Sequence, residues 1–321
     1  MHYGIVPPTT ENIQRAAEKL AKGNLVVFPT ETVYGLGGNA YDDNAVAQIF
    51  SCKNRPEFNP LSVCYGSLKQ ASADVFIDEK ARLLANFFLP GPITLLLKKK
   101  PDAKLSWLCS AGLETVGIRV PDHPVAQALL AYLPFPLAAP SANQSGRISP
   151  TSAADVVDAM ETESLCIIDG GPCKIGIEST ILDLTGSSPI IVRLGAIGKD
   201  EISAKCSCLF SQNNLENNSN APTKQLKHYA PRKKIVLNCG TADKSDALLA
   251  FGTPFSNECA HVLNLSVNGD LREAAANLFA MIRQLDKTDA RHICVMPIPN
   301  IGIGISINDR LQKAVDASAS S

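Results

Sequence analysis

Net charge is almost missing from this chain. Across 321 residues, 30 Lys and Arg stand against 31 Asp and Glu, a formal charge of -1 at pH 7. So balanced a chain lacks the long-range attraction on which nonspecific polyanion binding rests, so any phosphate contact must be local. Long apolar runs are missing too. No uninterrupted stretch approaches the roughly 20 residues a membrane span needs, and MHYGIVPPTTENIQ has no basic segment leading into an apolar one. A soluble cytoplasmic protein without a membrane partner is expected. Several catalytic signatures are absent as well: no GxSxG, no HExxH and no Walker A motif, whose nearest approach, RLGAIGKD, has Arg193 for the first glycine and Asp200 for the Ser or Thr. Gly302 and Gly304 form only half of a dinucleotide fingerprint and read as a point of close backbone packing.

Cysteine is present, but its pattern excludes a disulfide framework. Ten cysteines are spread over the chain without a CxxC pair, which fits free thiols in a reducing compartment. The close pair Cys206 and Cys208 could hold a soft metal with His228, yet the CxC spacing and Asn-rich surroundings favour incidental surface thiols. No direct protein ligand to a metal is expected.

At 45% hydrophobic and 19% charged residues, the chain can bury a substantial core, and its length suits two domains. The polar, Asn- and Ser-rich stretch from Cys206 to Gln225 has neither helical nor strand period and reads as a linker. The division is therefore a larger domain over 1–205, a linker over 206–230 and a smaller domain over 231–321. In the first, apolar runs LVVFP, PLSVCY, ITLLL, TVGIRV, FPLAA, SLCIID, STILDL and PIIVRL read as strands. Helical patterns fall at Ile13–Leu20, capped by Thr10, and at Asn44–Phe50, Glu79–Phe88, Pro124–Tyr132 and Ser152–Met160. So many strands predict a large, twisted mixed sheet with packed helices. In the second, KIVLN, HVLNLS and RHICVMPI alternate with helices at Lys244–Ala250, Leu271–Leu285 and Asn308–Val315, a small three-layer Rossmann-like α/β domain.

Polar segments stand where these strands end, which is where open α/β sheets bind ligands. PTET runs into the glycines at 35, 37 and 38, a loop that can receive a carboxylate or phosphate, or be a plain turn with capping threonines. Lys53 and Arg55 precede Pro56, with Asn59 opening the next strand; two cations there suit a phosphate chain, or a solvated helix end. Arg119 is an isolated charge in an apolar strand and calls for an anionic partner. Ser141, Asn143, Ser145 and Ser149 crowd one loop, Glu178, Ser179 and Thr180 open a strand, and Arg193 ends one. Hydroxyls and cations without a nucleophile–base pair favour catalysis by positioning and charge neutralisation, as in phosphoryl or nucleotidyl transfer.

The ordered series FPTETVYGLG, KNRPEFNPLSV, PGPITLLL, VGIRVPDHP, APSANQSG, GIESTILDL and VRLG resembles the YrdC-like family of L-threonylcarbamoyladenylate synthases. HYAPRKK and GIGISINDRLQKA resemble its long form, which carries a second domain. The resemblance implies a YrdC-like N-terminal sheet domain and condensation of L-threonine, bicarbonate and ATP, with Mg2+ accompanying the nucleotide and pyrophosphate released. It implies transfer of the product by downstream proteins to the adenosine beside the anticodon of tRNA, and allows a weak contact with tRNA. By the same resemblance Thr32, Cys64, Arg119, Ala139 and Ser179 would meet the threonine. Lys53, Arg55, Asn59, Thr115, Ser141, Asn143, Ser149, Arg193 and one of His228 or Tyr229 would meet ATP, with Lys53 and Arg55 neutralising its phosphates. The linker would fold over the site. Two departures stand out: Cys64 replaces the family's usual histidine, and APTKQLK replaces its Pro-Gly-Met-Lys-type run before HYAP. A noncatalytic binder of nucleotide or structured RNA is the alternative reading.

Overall fold

The computed structural model describes residues 4–160, 165–206, 229–253 and 258–319. In chain order the first unit contains β1 (Ile5–Val6), α1 (Thr10–Ala21), β2 (Val26–Phe28), β3 (Gly35–Asn39), α2 (Asp43–Lys53), β4 (Ser62–Cys64), α3 (Leu68–Ala71), α4 (Glu79–Phe88) and β5 (Ile93–Lys98). It continues through β6 (Thr115–Arg119), α5 (Pro124–Ala131), β7 (Leu137–Ala138), α6 (Ala153–Ala159), β8 (Cys166–Ile168), β9 (Thr180–Asp183), β10 (Ile190–Arg193) and α7 (Lys199–Lys205). The second unit has β11 (Lys234–Val236), β12 (Ala247–Ala250), β13 (His261–Asn264), α8 (Leu271–Asp286), β14 (His292–Val295) and α9 (Ile303–Ala319).

The first unit's strands form one mixed sheet of ten, ordered β1-β8-β2-β3-β7-β4-β6-β5-β9-β10. Its two faces follow from the alternation of side chains along a strand. Val26 and Phe28 face α1 and α5, in a core with Ala16, Leu20 and Leu129, whereas Val27 faces the opposite core with Val63, Ile93 and Leu95. Every apolar run read as a strand is one. Two strands escaped that reading: β1, only two residues long, and β3, whose GLGGN looks like a turn. Phe28 explains β3, because a Cβ at Gly37 would stand 2.9 Å from the ring and one at Gly35 3.3 Å away. The N-cap of α1 is Thr9, whose side chain accepts from the Asn12 amide, and not Thr10.

The smaller sheet is parallel throughout, ordered β11-β14-β12-β13. Lys244–Ala250 is not a helix: its apolar half forms the fully buried strand β12, where burial on both faces gives the continuous ALLA run. Helix α8, with Ala275, Leu278 and Ile282, and α9, with Ile307 and Leu311, cover one face together. Among the described residues the other face meets only irregular segments carrying Cys239, Ala242 and Cys259, so the three-layer expectation reduces to two layers there. Gly304 is the packing point its spacing indicated, since a Cβ would lie 2.1 Å from the Pro299 carbonyl. The nine described cysteines form no disulfide, and Cys206 is buried, not at the surface. Cys208, His228 and nearly all of the expected linker lie outside the described residues.

Candidate active site

A pocket opens where the central strands of the large sheet end. Thr30 and Val33 from the β2–β3 connection, Cys64 at the end of β4, Arg119 at the end of β6, Ala139 and Ser141 after β7, Glu178 and Ser179 before β9, and Arg193 at the end of β10 all line it. Segments as far apart in sequence as Thr30 and Arg193 meet here because β7 inserts between β3 and β4, and β9 lies beside β5.

Arg119 is buried, and its charge is held by Glu31, whose Oε1 accepts from Nη2 at 2.7 Å. The same nitrogen donates to Thr32 Oγ1 at 2.7 Å, and the other oxygen of Glu31 accepts the Asp122 amide. Burial is the largest single influence and works against the guanidinium, but the charge and hydrogen bond of Glu31, together with Cys64 and Cys173, raise the Arg119 pKa. Arg119 Nε is buried without a partner. An unmet N–H of that kind costs about 1–3 kcal/mol. Cys64 lies close by, its thiol pushed up to about 11 by burial and therefore neutral. Ala139 donates its amide to the Ser62 carbonyl, which holds the β7 end against β4.

Further along, Arg193 donates to the Ser179 carbonyl at 2.8 Å and to its hydroxyl at 3.0 Å. Ser179 also bonds Thr94 Oγ1 at 2.8 Å. Arg55 donates to the carbonyls of Asn59 and Pro60, which fixes the buried Asn59 at the entrance to β4. Burial, with the Arg193 charge adding to it, lowers the Arg55 pKa to about 10. Arg55 lies outside the pocket lining but close to Arg193; neither has a carboxylate in ion-pair contact among the described residues, and the Glu178 charge offsets part of that of Arg193.

Lys53 does not reach the pocket. The last residue of α2 is fully buried, and its ammonium donates to the carbonyls of Ser141, at 2.5 Å, and Asn143. Burial pulls its pKa to about 7. It shapes the 141–147 loop from beneath, as Asn143 does by donating from Nδ2 to the carbonyls of Gln144 and Arg147. Thr115 also lies outside the lining. It shares the face of β6 with Gly117 and Arg119, and four residues of strand separate it from Arg119 by roughly 13 Å. Between them Gly117 lies against the Thr94 side chain, since a Cβ there would stand 3.0 Å from its methyl carbon. Tyr229, in the left-handed region at φ 63, stacks on Phe279 and belongs to the second unit's core, while also lying near Arg193.

Three further residues complete the site, and the sequence reading assigned a role to none of them. Glu31 balances Arg119. Glu178 accepts from Ser149 Oγ at 2.6 Å through one oxygen and from Arg310 Nε at 3.2 Å through the other. Arg310 comes from α9, in the other unit, and is 1% exposed. The signals were present: a Glu beside the Thr32 hydroxyl, a Glu opening a strand, and an Arg on a helix face otherwise set by Ile303, Ile307, Leu311 and Ala314. What the sequence lacked was the pairing.

Residues 18–195 match the Sua5, YciO and YrdC family model, described as "Telomere recombination", and residues 195–316 match the C-terminal domain of threonylcarbamoyl-AMP synthase. Threonylcarbamoyl-AMP synthase of Bacillus subtilis is 37% identical over 94% of this chain and 92% of its own. The crystal structure of Pyrococcus abyssi Sua5 complexed with L-threonine superposes with a TM-score of 0.86 at 33% identity, covering 99% of this chain and 98% of that one. Escherichia coli YciO matches 60% of this chain and 95% of its own, with a TM-score of 0.54 and 30% identity.

Proposed function

Because the chain belongs to the Sua5/YrdC family of threonylcarbamoyl-AMP synthases, its activity is the making of threonylcarbamoyl-AMP, and we propose how this pocket carries the reaction out. The observation that carries the assignment is Arg119: a guanidinium in the pocket wall, locked through Nη2 by Glu31 and Thr32, whose Nη1 makes no hydrogen bond among the described residues. It takes the carboxylate of L-threonine, with Ser179, the Ala139 backbone and the neutral Cys64 around the rest of the amino acid. The nucleotide lies at the other end, its phosphates against Arg55 and Arg193, its remaining contacts drawn from Asn59, Thr115, Ser141, Ser149 and the His228–Tyr229 segment. Lys53 and Asn143 act on ATP through the loop that they hold.

The threonine amine attacks the carbon of bicarbonate, and the carbamate forms as the elements of water leave. A carbamate oxygen then attacks the α-phosphorus, and the bond to the bridging oxygen of the β-phosphate breaks to release pyrophosphate. No side chain becomes covalently attached. Holding three reactants in one cleft and balancing the leaving charge are the main contributions of the protein, worth up to roughly 7–11 kcal/mol where alignment is good. Magnesium would accompany the nucleotide and offset the charge of its phosphates, while Glu31 and Glu178 are committed to Arg119 and Arg310. The mixed anhydride is a reactive acyl donor, and the class of reaction that consumes it is threonylcarbamoyl transfer to the tRNA adenosine beside the anticodon.

The test is pyrophosphate release from ATP, with each cosubstrate omitted in turn. Release must require both L-threonine and bicarbonate. Nucleotide binding without turnover, or turnover indifferent to threonine, overturns the assignment.

A further inference from the structure

The second unit does more than follow the catalytic one. Val33, Ile148 and Ile177, each in a loop that borders the pocket, are buried in the core of the second unit among Leu278, Ile282 and Ile307. Gly176 runs so close to α8 that a Cβ would lie 2.5 Å from the Ala275 and Ala276 carbonyls, and Arg283 of α8 donates to the Ile148 carbonyl at 3.0 Å. From α9, Ser306 donates to the Gly195 carbonyl at 2.7 Å; one turn on, Arg310 reaches Glu178. Gly195 is itself pressed on the Glu178–Ser179 backbone, since a Cβ there would stand 2.4 Å from the Ser179 carbonyl carbon. One helix face thus holds both sides of the nucleotide end of the pocket.

We propose that Arg310 is a positioning residue for the reaction: it fixes the Glu178 carboxylate, and through it Ser149 and the Ser179–Arg193 pair, so that the second unit is part of the machinery that aligns ATP. The inference rests on the placement of the phosphates proposed above. Arg310 does not line the pocket, so it acts through Glu178. Its Nη1 is held by Asp309 and its guanidinium lies over the Tyr229 ring, 5.6 Å from the centroid, which leaves it one orientation toward Glu178.

The experiment compares full-length wild type, Arg310→Met and Arg310→Lys by melting temperature, by calorimetric titration of L-threonine without nucleotide, and by pyrophosphate release with ATP varied. Arg310→Met should keep threonine binding within about threefold while kcat/KM for ATP falls roughly 10²-fold, the size of effect expected from a misplacement of about 1 Å. Arg310→Lys should recover about tenfold of that loss, because it returns the charge without the fork. Should Arg310→Met fail to fold, Glu178→Gln with Arg310→Met leaves no lone buried charge and must show the same selective loss. An unchanged kcat/KM for ATP overturns the inference, as does an equal loss of threonine binding and ATP use, which marks a purely structural role. A wild-type chain that binds threonine yet releases no pyrophosphate overturns the functional assignment instead.

Discussion

Arg119 commits Nη2 to Glu31 and Thr32 and stands in the pocket wall with Nη1 making no hydrogen bond among the described residues. Arg119→Lys keeps a cation near Glu31 but loses the fork. Threonine KM should therefore rise roughly 10- to 10²-fold, the worth of one charge-assisted hydrogen bond of about 1.5–3 kcal/mol, with ATP affinity within about threefold. Initial rates with each substrate varied check this; equal losses for both would contradict it. Cys64 gives a second test. With the thiol at about 11, thiolate is the minor form until the pH approaches that value, so alkylation at neutral pH should be slow and should accelerate with rising pH. Cys64→Ala should retain kcat within about threefold, since no step needs a nucleophile. A dead Cys64→Ala variant that still folds would call for a covalent role. Arg119 was legible in the sequence because a charge inside TVGIRV demands a partner. Lys53 was misleading for the same reason: a cation beside Arg55 resembles a phosphate contact, and only the fold reveals that α2 ends beneath the 141–147 loop.

At the scale of elements, the strands were legible where burial writes a run of apolar residues and not where glycine does. β3 reads as a turn because its glycines look permissive, whereas Gly35 and Gly37 admit the Phe28 ring and Gly38 admits Leu25 and Ile49. Gly176 is the opposite case, since its φ of +75 needs the left-handed region and α8 occupies the space where a side chain would go. Gly176→Ala combines backbone strain with an overlap at helix backbone that cannot yield, so it should cost more than the roughly 1 kcal/mol of the strain alone. Urea denaturation followed by circular dichroism measures the loss. Because Ile177 and Glu178 follow directly, pyrophosphate release should fall further than the folded fraction does; activity that tracks the folded fraction would mean that this loop has no part in alignment.

Across the whole molecule, a charge of -1 conceals a concentration of arginines at the junction of the two units. Among the described residues three ion pairs cross that junction at different depths. Lys287 and Asp158 are about half exposed, Arg283 and Asp155 are 11% and 15% exposed, and Arg310 and Glu178 are 1% and 8% exposed. Water screens the first pair and pays most of its solvation, so Lys287→Met should change stability by only about 0–1 kcal/mol. Arg310→Met leaves Glu178 buried with Arg193 and the Ser149 hydroxyl as its remaining support, and should cost about 3–5 kcal/mol. Arg283→Met should fall between, because its pair is separated by 3.7 Å and its second bond is to the Ile148 carbonyl. Urea unfolding of the full-length variants gives the order directly. Equal losses at all three positions would mean that the units are held by apolar contact around Val33, Ile148 and Ile177 alone. A loss that grows with depth places the strongest tie between the units at the nucleotide end of the pocket, where the proposed alignment of ATP requires it.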